Sequence, residues 1–336
     1  MPNKKRTIFT KILIWRYKYI SERQFILVLS VLVGFLAGLG TVLLKYLTLF
    51  IQSVLEGGFI RNYYYSLYFI FPIVGVWLVY LIKKNFLKKE IGHGISTTLY
   101  AISKRSGIIE RYKMFASLMV APITVGFGGS VGLQGPAVST GAAIGSNVAS
   151  MFHMNAKTRM LLIGCATAGA MSSMFKAPVA AIVFAVEIFS LDLVFTSLVP
   201  LLLASVAAVI TSYFFRGTDV LFSFELLDAW RVKDIVFYVF LGVATGIASV
   251  YFSKMYFLIT RFFAWFSNAY VKIGIAALAI GLMLYLFPPL YGEGYGLINN
   301  LLNGETEAAL NGIQYQIDFN NVWIVVAILL LIAVFK

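Results

Sequence analysis

Charged residues are scarce in this chain of 336 residues. Only 12% of the residues are charged, whereas 60% are hydrophobic and the mean hydropathy is +0.87. Soluble domains usually contain about 25% charged and about 45–50% apolar residues. The composition therefore excludes a soluble enzyme, a disordered chain and a secreted disulfide scaffold. It predicts an all-α polytopic membrane protein whose first partner is the lipid bilayer.

Cysteine and histidine are almost absent. The chain has one cysteine, Cys165, and two histidines, His93 and His153. One thiol forms neither an internal disulfide nor a cysteine-rich metal site, and no HExxH sequence is present. We therefore expect Cys165 to be a buried packing residue, and we expect no metal, no cofactor and no catalytic residues. Because the sequence contains no GxxxxGK[ST], nucleotide binding is not expected either.

Acidic residues are fewer than basic ones, at 14 against 27, which gives a net charge of +13. In a membrane protein Lys and Arg collect in cytoplasmic loops, so this excess indicates topology and not nucleic-acid binding. Residues 1–23 are strongly basic, and the loop at 83–90 carries four lysines. We predict a cytoplasmic N-terminus and, from the compact form without added domains, a bacterial inner membrane.

Apolar segments predict the helices, and several of them are too short to cross a membrane. A crossing helix needs about 20 residues. Gly and Pro interrupt the shorter segments, and broken helices at membrane depth are typical of transport proteins. The predicted segments are 24–55, 65–82, 91–102, 111–128, 160–175, 177–190, 194–214, 232–266, 269–287 and 320–335.

An internal repeat organises these segments. GxxxG occurs at Gly34 and Gly38 and again at Gly242 and Gly246, and small residues at this spacing allow close helix packing. Each copy continues with a lysine, a second apolar span and a Gly-x-Gly sequence: Lys45, 65–82 and 92–94 in the first, and Lys254, 269–287 and 294–296 in the second. The next linker is basic in the first copy and acidic in the second, which predicts that the copies are inverted.

The repeat predicts four regions. They are a cytoplasmic basic N-terminal helix (1–23), a first membrane repeat (24–215), an external linker (216–231) and a partial second membrane repeat (232–336). The second copy contains no counterpart of the sequence GGSVGLQGP at 128–136. We therefore expect the second repeat to be incomplete and the chain to be a C-terminally truncated fragment.

Two glycine-rich sequences predict an anion site. In GGSVGLQGP the glycines permit backbone conformations that a Cβ forbids, and Pro136 suits the first position of a helix. A second short helix is expected to begin near Ile95, after GHGI. Two positive helix ends that converge at depth attract an anion without a full positive charge. The predicted anion pathway consists of Gly92, His93, Gly94, Ile95, Gly132, Leu133, Gln134, Gly135 and Pro136.

Three sequences together carry a resemblance: GHGI, GGSVGLQGP and MFKAPVAAIVFAVEIF (174–189). The chain resembles the CLC family of chloride channels and proton-coupled chloride exchangers from its basic N-terminus to residue 336. The resemblance implies a homodimer with chloride as a bound ligand and one anion pathway in each subunit. It also implies two inverted halves of broken, tilted helices, which agrees with the internal repeat.

Departures from the family pattern suggest passive conduction. Gln134 stands where the family has a gating acid, and an amide does not carry a proton at ordinary pH. Ile188 stands where the exchangers have an inner glutamate. In the exchangers that inner glutamate is the second of two adjacent acids, and Glu187 matches the first of them. We interpret Glu187 as a hydrogen-bond or ion-pair partner at a helix end. Lys176 is a candidate for the residue that pairs with it, on sequence position alone. Tyr291, Tyr295 and Tyr315 lie too early in the chain for the tyrosine that closes the inner mouth in the family.

Other interpretations stay open at this point. His93 replaces a serine of the chloride-selective motif, and it is either an anion ligand that titrates near neutral pH or a residue bonded to backbone. The protein is accordingly a passive chloride channel, a fluoride-selective or proton-coupled transporter of the same fold, or a non-conducting membrane subunit or fragment. The proton movement that accompanies anion flux distinguishes the first two.

Overall fold

The computed structural model describes residues 18–56, 64–88, 92, 94–190, 195–218, 221–222, 231–310, 313 and 321–336. These residues form α-helices joined by short turns, with a π-helical turn at Lys83–Leu87 and 3₁₀ turns at Val232–Asp234 and Pro288–Leu290. No β-strand occurs among them, and the predicted all-α class is confirmed. Most of the predicted N-terminal helix and of the linker at 216–231 lies outside the described residues.

The α-helices are named here in chain order. They are α1 Glu22–Glu56, α2 Tyr64–Ile82, α3 Ile95–Arg105, α4 Lys113–Gly126, α5 Gln134–Met151, α6 Ala156–Phe175, α7 Pro178–Phe189, α8 Phe195–Arg216, α9 Ile235–Ala264, α10 Ala269–Leu286, α11 Tyr295–Leu302, α12 Thr306–Ala309 and α13 Val322–Phe335.

The mixture of long and short helices follows the apolar pattern of the sequence. Five helices in the described part of the chain, α1, α2, α8, α9 and α10, are long and apolar enough to cross a membrane. Because α1 has 35 residues, it is about 50 Å long at 1.5 Å per residue, and it must tilt within or project from a hydrocarbon core of about 30 Å. The apolar helices α4, α7 and α13 are shorter. A short α7 is predicted by the sequence, whereas α4, with 14 residues, is shorter than the segment 111–128, which is long enough to cross.

Most helix ends lie within three residues of the ends of the predicted segments, although α3 begins four residues after the start of the segment 91–102 and α6 also differs by four. Helix α6 begins at Ala156, four residues before the predicted start at 160. The reason is the cap at Asn155, whose side-chain oxygen accepts a hydrogen bond of 2.8 Å from the backbone N–H of Thr158. Such a cap extends a helix into polar sequence that hydropathy alone does not assign to it.

Helix α6 is the centre of the described fold. Every residue from Leu162 to Met174 is buried, and α6 packs against α1, α5, α7 and α8. Its sequence over this stretch is rich in Gly, Ala and Ser, so neighbouring backbones approach it closely. Cys165 lies here with no exposed surface, and its Sγ is 3.7 Å from the Ser30 Oγ of α1. The prediction of a buried packing residue is confirmed.

Interhelical hydrogen bonds join α1, α6 and α8. The Thr41 hydroxyl donates to the Ala170 carbonyl (3.3 Å), and the Ser173 hydroxyl donates to the Gly38 carbonyl (3.3 Å). The Ser172 hydroxyl donates to the Ser205 carbonyl of α8 (2.9 Å). Hydroxyl groups that bond across helices satisfy buried polar atoms and hold three helices in register.

The two predicted GxxxG sequences differ in their surroundings. A Cβ at Gly34 would overlap the Ala204 carbonyl oxygen of α8, and one at Gly38 would lie 3.0 Å from the Ala208 Cα. The first GxxxG is therefore a close helix contact, as predicted. Among the described residues, no atom of a neighbouring element lies within 4 Å of a Cβ placed at Gly242 or Gly246. The inverted relation of the two repeats stays a prediction.

Candidate anion site

The start of α5 is formed by the glycine-rich segment before it. Gly128 has φ +93°, a left-handed conformation that side chains disfavour, and it turns the chain from α4 toward α5. The sequence predicts Pro136 as the first residue of α5. The helix begins at Gln134, so Pro136 is its third residue. The difference has a physical reason, because none of the first four N–H groups of a helix has an intrahelical partner, and proline is tolerated throughout that turn.

The start of α3 approaches the start of α5. Gly92 (φ +80°) and Gly94 (φ +54°) precede α3, which begins at Ile95 as predicted. A Cβ at Gly94 would lie 3.0 Å from the Gly135 carbonyl oxygen and 3.3 Å from its Cα. The two glycine sequences, which are forty residues apart, therefore meet at their backbones. His93 lies outside the described residues, so both interpretations of it stay open.

A cavity of about 300 Å³ lies where the two glycine sequences meet, and it is smaller than a cavity of about 470 Å³ beside Glu293 and Tyr295. Five of the nine predicted pathway residues line this smaller cavity, which we call the glycine cavity: Gly92, Gly94, Gly132, Gly135 and Pro136. Ser117 and Thr124 of α4 add hydroxyl groups to its wall. Ile95 is half-buried beside an apolar cluster, and Leu133 is fully buried. The anion-binding role of all these residues stays a prediction.

Alanine at Gly94 is expected to distort the glycine cavity. The Gly94→Ala change places a Cβ against Gly135 and forces a backbone of φ 54°, ψ −109° on a non-glycine residue, at a cost of about 1–3 kcal/mol. We expect a lower melting temperature in detergent and weaker chloride binding by calorimetry. Gly296→Ala is the matched control, because a Cβ there has no neighbour within 4 Å in the described chain. Equal effects of the two changes would contradict the predicted contact.

The Gln134 side chain reaches the second half of the chain. Its Nε2 donates a hydrogen bond of 2.6 Å to the Tyr295 hydroxyl oxygen at the start of α11. Its Oε1 lies over Gly132, where a Cβ would overlap it. Burial, and then the charge of Glu293, raise the pKa of Tyr295 to about 12. The Tyr295 hydroxyl therefore remains protonated and neutral at physiological pH.

A carboxylate lies at the start of α5. The backbone N–H of Leu133, which precedes the first helical residue, donates a hydrogen bond of 3.3 Å to Oε1 of Glu293. Burial raises the pKa of the Glu293 carboxyl. The attraction of nearby cations and the hydrogen bond from Leu133 act in the opposite direction, because they favour the ionised form; the cations are Lys45, Arg216 and Lys336.

The larger cavity, of about 470 Å³, adjoins this carboxylate, and we call it the charged cavity. Its lining includes Lys45, Arg216, Glu293 and Tyr295. Lys45 is only 5% exposed, and its ammonium group lies 5.5 Å from the centre of the Tyr295 ring, within the range of a cation–π interaction. Because Gly34 meets Ala204 and Gly38 meets Ala208, α1 and α8 run parallel, so Lys45 and Arg216 lie toward the same end of the helix bundle.

Both cavities lie near the start of α5, and we call the region between them the junction. Glu293 and Tyr295 line the charged cavity, while Gly132 and Gly135 line the glycine cavity. The hydrogen bonds from Leu133 and Gln134 to Glu293 and Tyr295 lie at this junction. The two glycine-rich sequences predict that the helix starts converge, but they do not predict this contact with the second half. The signal in the sequence was Glu293 itself, a lone acid in the glycine-rich stretch YGEGYG.

Glu187 lies apart from both cavities. It is exposed in the last turn of α7, whereas Lys176 precedes the first turn, so α7 separates the two residues by about 14 Å along its axis. The Lys176 ammonium group donates to the Gly217 carbonyl oxygen (2.7 Å) and lies over the Tyr213 ring. The suggested pairing of Glu187 with Lys176 is therefore wrong. Among the described residues, no cluster of His, Cys, Asp and Glu has the composition of a metal site.

Comparison with known proteins gives consistent relatives. A sequence model of the family described as Voltage gated chloride channel matches residues 74–336. The chain is 26% identical over 301 residues to the H(+)/Cl(−) exchange transporter ClcA of Vibrio cholerae, which covers 83% of this chain and 62% of that protein. It is 27% identical over 203 residues to the chloride channel protein CLC-f of Arabidopsis thaliana. This alignment covers 57% of the present chain and 26% of that protein.

Solved structures share the fold. A slow cyanobacterial Cl⁻/H⁺ antiporter superposes with a TM-score of 0.73 at 19% identity and covers 94% of this chain and 73% of that one. A CLC-type fluoride/proton antiporter superposes with a TM-score of 0.71 at 22% identity and covers 92% of this chain and 75% of that one. The present chain thus spans about three fifths of the length of the ClcA relative and about three quarters of the two solved chains.

Apolar crossing helices, broken shorter helices and a glycine-lined cavity between helix starts define an integral membrane protein with a transporter fold. Since the family match extends over most of the sequence, this chain belongs to the CLC family of voltage gated chloride channels and related exchangers. The resemblance identified from the three sequence motifs is confirmed.

Proposed function

We propose that this protein transports small anions across the membrane, with chloride as the bound ligand, through the site where α3 and α5 begin. The observation that carries the proposal is the approach of Gly94 to Gly135, which brings two helix starts to one cavity. Unpaired N–H groups and the positive dipole end of a helix attract anions. We propose no enzymatic activity and no other cofactor.

The lack of charged side chains among the described residues that line the glycine cavity supports fast exchange of the ligand. No Lys, Arg, Asp or Glu occurs among the described residues that line it. Partial charges from backbone groups bind an anion more weakly than a full cation would, and conduction requires a ligand that leaves as readily as it enters. The wall formed by Ser117 and Thr124 offers hydroxyl donors that would replace part of the hydration shell.

We propose passive conduction as the first candidate mode. Gln134, at the first position of α5, cannot carry a proton at ordinary pH. Ile188, at the position of an inner acid in the exchangers, is half-buried and packs against an apolar cluster, so it offers no proton site there. Both substitutions favour anion movement that is not coupled to protons.

Proton-coupled exchange is the second candidate mode. The Vibrio cholerae relative is named as an exchange transporter, and both solved neighbours are named as antiporters. In the present chain, the Glu293 carboxylate at the start of α5 is a titratable group next to the proposed anion site. It supplies a proton carrier in a different part of the sequence from the one that the family pattern predicts.

We propose that the protein acts as a homodimer in a bacterial inner membrane, with its N-terminus in the cytoplasm. The proposal of a dimer is supported by exposed apolar side chains on α7 and α8 that a second subunit would cover: Val179, Val183, Ile210 and Phe214. The basic residues that end α3 and begin α4 support the proposed orientation, because Lys and Arg favour the cytoplasmic side.

Anion flux from liposomes tests both modes. The protein is reconstituted with chloride inside, a potassium ionophore provides charge balance, and chloride efflux and external pH are recorded together. Passive conduction predicts chloride efflux with no proton movement beyond that of empty liposomes. Proton uptake driven by the chloride gradient would overturn the passive mode and establish exchange.

The same liposomes test the ion and the non-conducting alternative. Efflux of fluoride is measured beside that of chloride, with gluconate as an anion too large to pass. Faster fluoride efflux would replace chloride by fluoride as the proposed substrate. Efflux of neither ion from vesicles that contain folded, inserted protein would contradict anion transport by this chain and favour a non-conducting role.

A further inference from the structure

The start of α5 is already in contact with an anionic group that belongs to the protein. The Leu133 N–H lies in the position where the helix start should attract an anion, and the Glu293 carboxylate accepts its hydrogen bond at 3.3 Å. A carboxylate and a halide ion compete for the same donors because both are small anions. Glu293 is attached to the chain, so its local concentration does not depend on the solution.

Gln134, the residue after Leu133, makes a second contact with the same segment of the chain. Tyr295, two residues after Glu293, accepts the hydrogen bond from the Gln134 amide. The segment is anchored at its other end, because the Tyr291 hydroxyl donates to the carbonyl oxygen of Gly126, the last residue of α4. Residues 291–295 therefore lie across the junction of the two cavities and are held at both ends.

The charges around Glu293 come from several elements. Lys45 of α1, Arg216 at the end of α8 and Lys336 after α13 are the cations that favour its ionised form, and the Tyr295 hydroxyl lies beside it. Lys45 is 5% exposed and lines the charged cavity with Arg216 and Glu293. A buried cation beside a carboxylate can neutralise it, and it can also attract an incoming anion once the carboxylate withdraws.

We propose that the Glu293 carboxylate is a tethered competitor of the transported anion, and that its contact with Leu133 closes the passage between the charged cavity and the glycine cavity. When an anion displaces it, or when it takes up a proton, Glu293 releases the Leu133 N–H and the passage opens. The inference rests on the proposed function, since it supposes that an anion uses this site. It assigns the gate to a residue of the second half of the chain.

The proposal has a definite pH dependence. An acid whose pKa is raised takes up its proton at a higher pH than a free carboxyl group, so acidification removes the charge of the competitor. Anion affinity should therefore rise as the pH falls from 8 to 4. Protonation of a neighbouring cationic group would also favour an anion, so the share of Glu293 must be isolated with a variant that does not titrate.

Chloride binding to the purified chain in detergent tests the proposal without requiring flux. Titration calorimetry compares the wild type with Glu293→Gln at pH 7.5, with Glu307→Gln as the matched control. Glu307 undergoes the same charge change on the exposed surface of α12. We expect Glu293→Gln to bind chloride about tenfold more tightly or better, because a charged hydrogen-bond competitor is lost. The control should bind like the wild type.

The outcomes separate the two proposals. Equal chloride affinity of the wild type and Glu293→Gln would overturn the gate and leave anion binding intact. No chloride binding by either protein, nor by the wild type at pH 5, would overturn the proposed function and the gate together. The pH series of the wild type needs no variant, so an affinity that stays flat between pH 8 and 4 would overturn the gate even if Glu293→Gln failed to fold.

Discussion

Replacement of Gly34 by alanine is expected to lower the free energy of unfolding by about 3 kcal/mol. The added Cβ would overlap the Ala204 carbonyl oxygen, and a backbone atom cannot move aside as a flexible side chain does. The contact also lies next to buried hydrogen bonds that join α1 to α6, such as the one between Thr41 and Ala170. Separation of α1 from α8 would weaken these bonds as well.

The second GxxxG supplies the matched control for this prediction. Gly242→Ala makes the same chemical change in a helix, but in the described chain its Cβ would meet no atom of another element within 4 Å. Because alanine has the higher helix propensity, we expect an unchanged or slightly raised melting temperature. The measurement is thermal unfolding of the detergent-solubilised protein. A Gly34→Ala variant as stable as Gly242→Ala would contradict the close packing of α1 on α8.

Features that depend on neighbouring residues in the sequence were predicted well. Hydropathy located the crossing helices, and glycine and proline marked where the short helices begin, as at Ile95 for α3 and Pro178 for α7. The errors were local too. The cap at Asn155 and the place of Pro136 in the first turn of α5 shifted boundaries by a few residues, because capping and free N–H groups determine helix ends.

Contacts between distant residues account for what the sequence did not predict. Leu133 and Glu293 are 160 positions apart, and Gln134 and Tyr295 are 161 positions apart. The spacing of hydrophobic residues in the sequence gives no information about pairs so far apart. Only the packing of the two repeats brings them together. The GxxxG sequences show the same limit, since Gly34 lies in a tight helix contact and Gly242 does not, although their local sequences are alike.

Compared with the family pattern, this chain lacks an acid at position 134. The structure adds that a carboxylate reaches the same helix start from position 293. Loss of an acid at one position therefore does not remove negative charge from the site. We therefore expect proton coupling to depend on the charge present at the start of α5, and not on the identity of residue 134 alone.

A Gln134→Glu change is expected to decrease chloride affinity at neutral pH by about tenfold or more. The new carboxylate would lie at the first residue of α5, next to the one of Glu293, and two like charges at this distance repel an entering anion and each other. Repulsion raises the pKa of carboxyl groups, so the loss should be reversed as the pH falls toward 5. Gln24→Glu, with the same charge change in the exposed first turn of α1, is the control.

The double variant Gln134→Glu/Glu293→Gln tests whether the Glu293 carboxylate still competes for the anion site when position 134 is acidic. It keeps one carboxylate at the start of α5 but supplies it from the first half of the chain. If both positions act on the same anion site, chloride affinity at pH 7.5 should return close to the wild-type value, and its rise with acid should persist. A double variant that binds chloride as weakly as Gln134→Glu alone would show that Glu293 does not compete for this site.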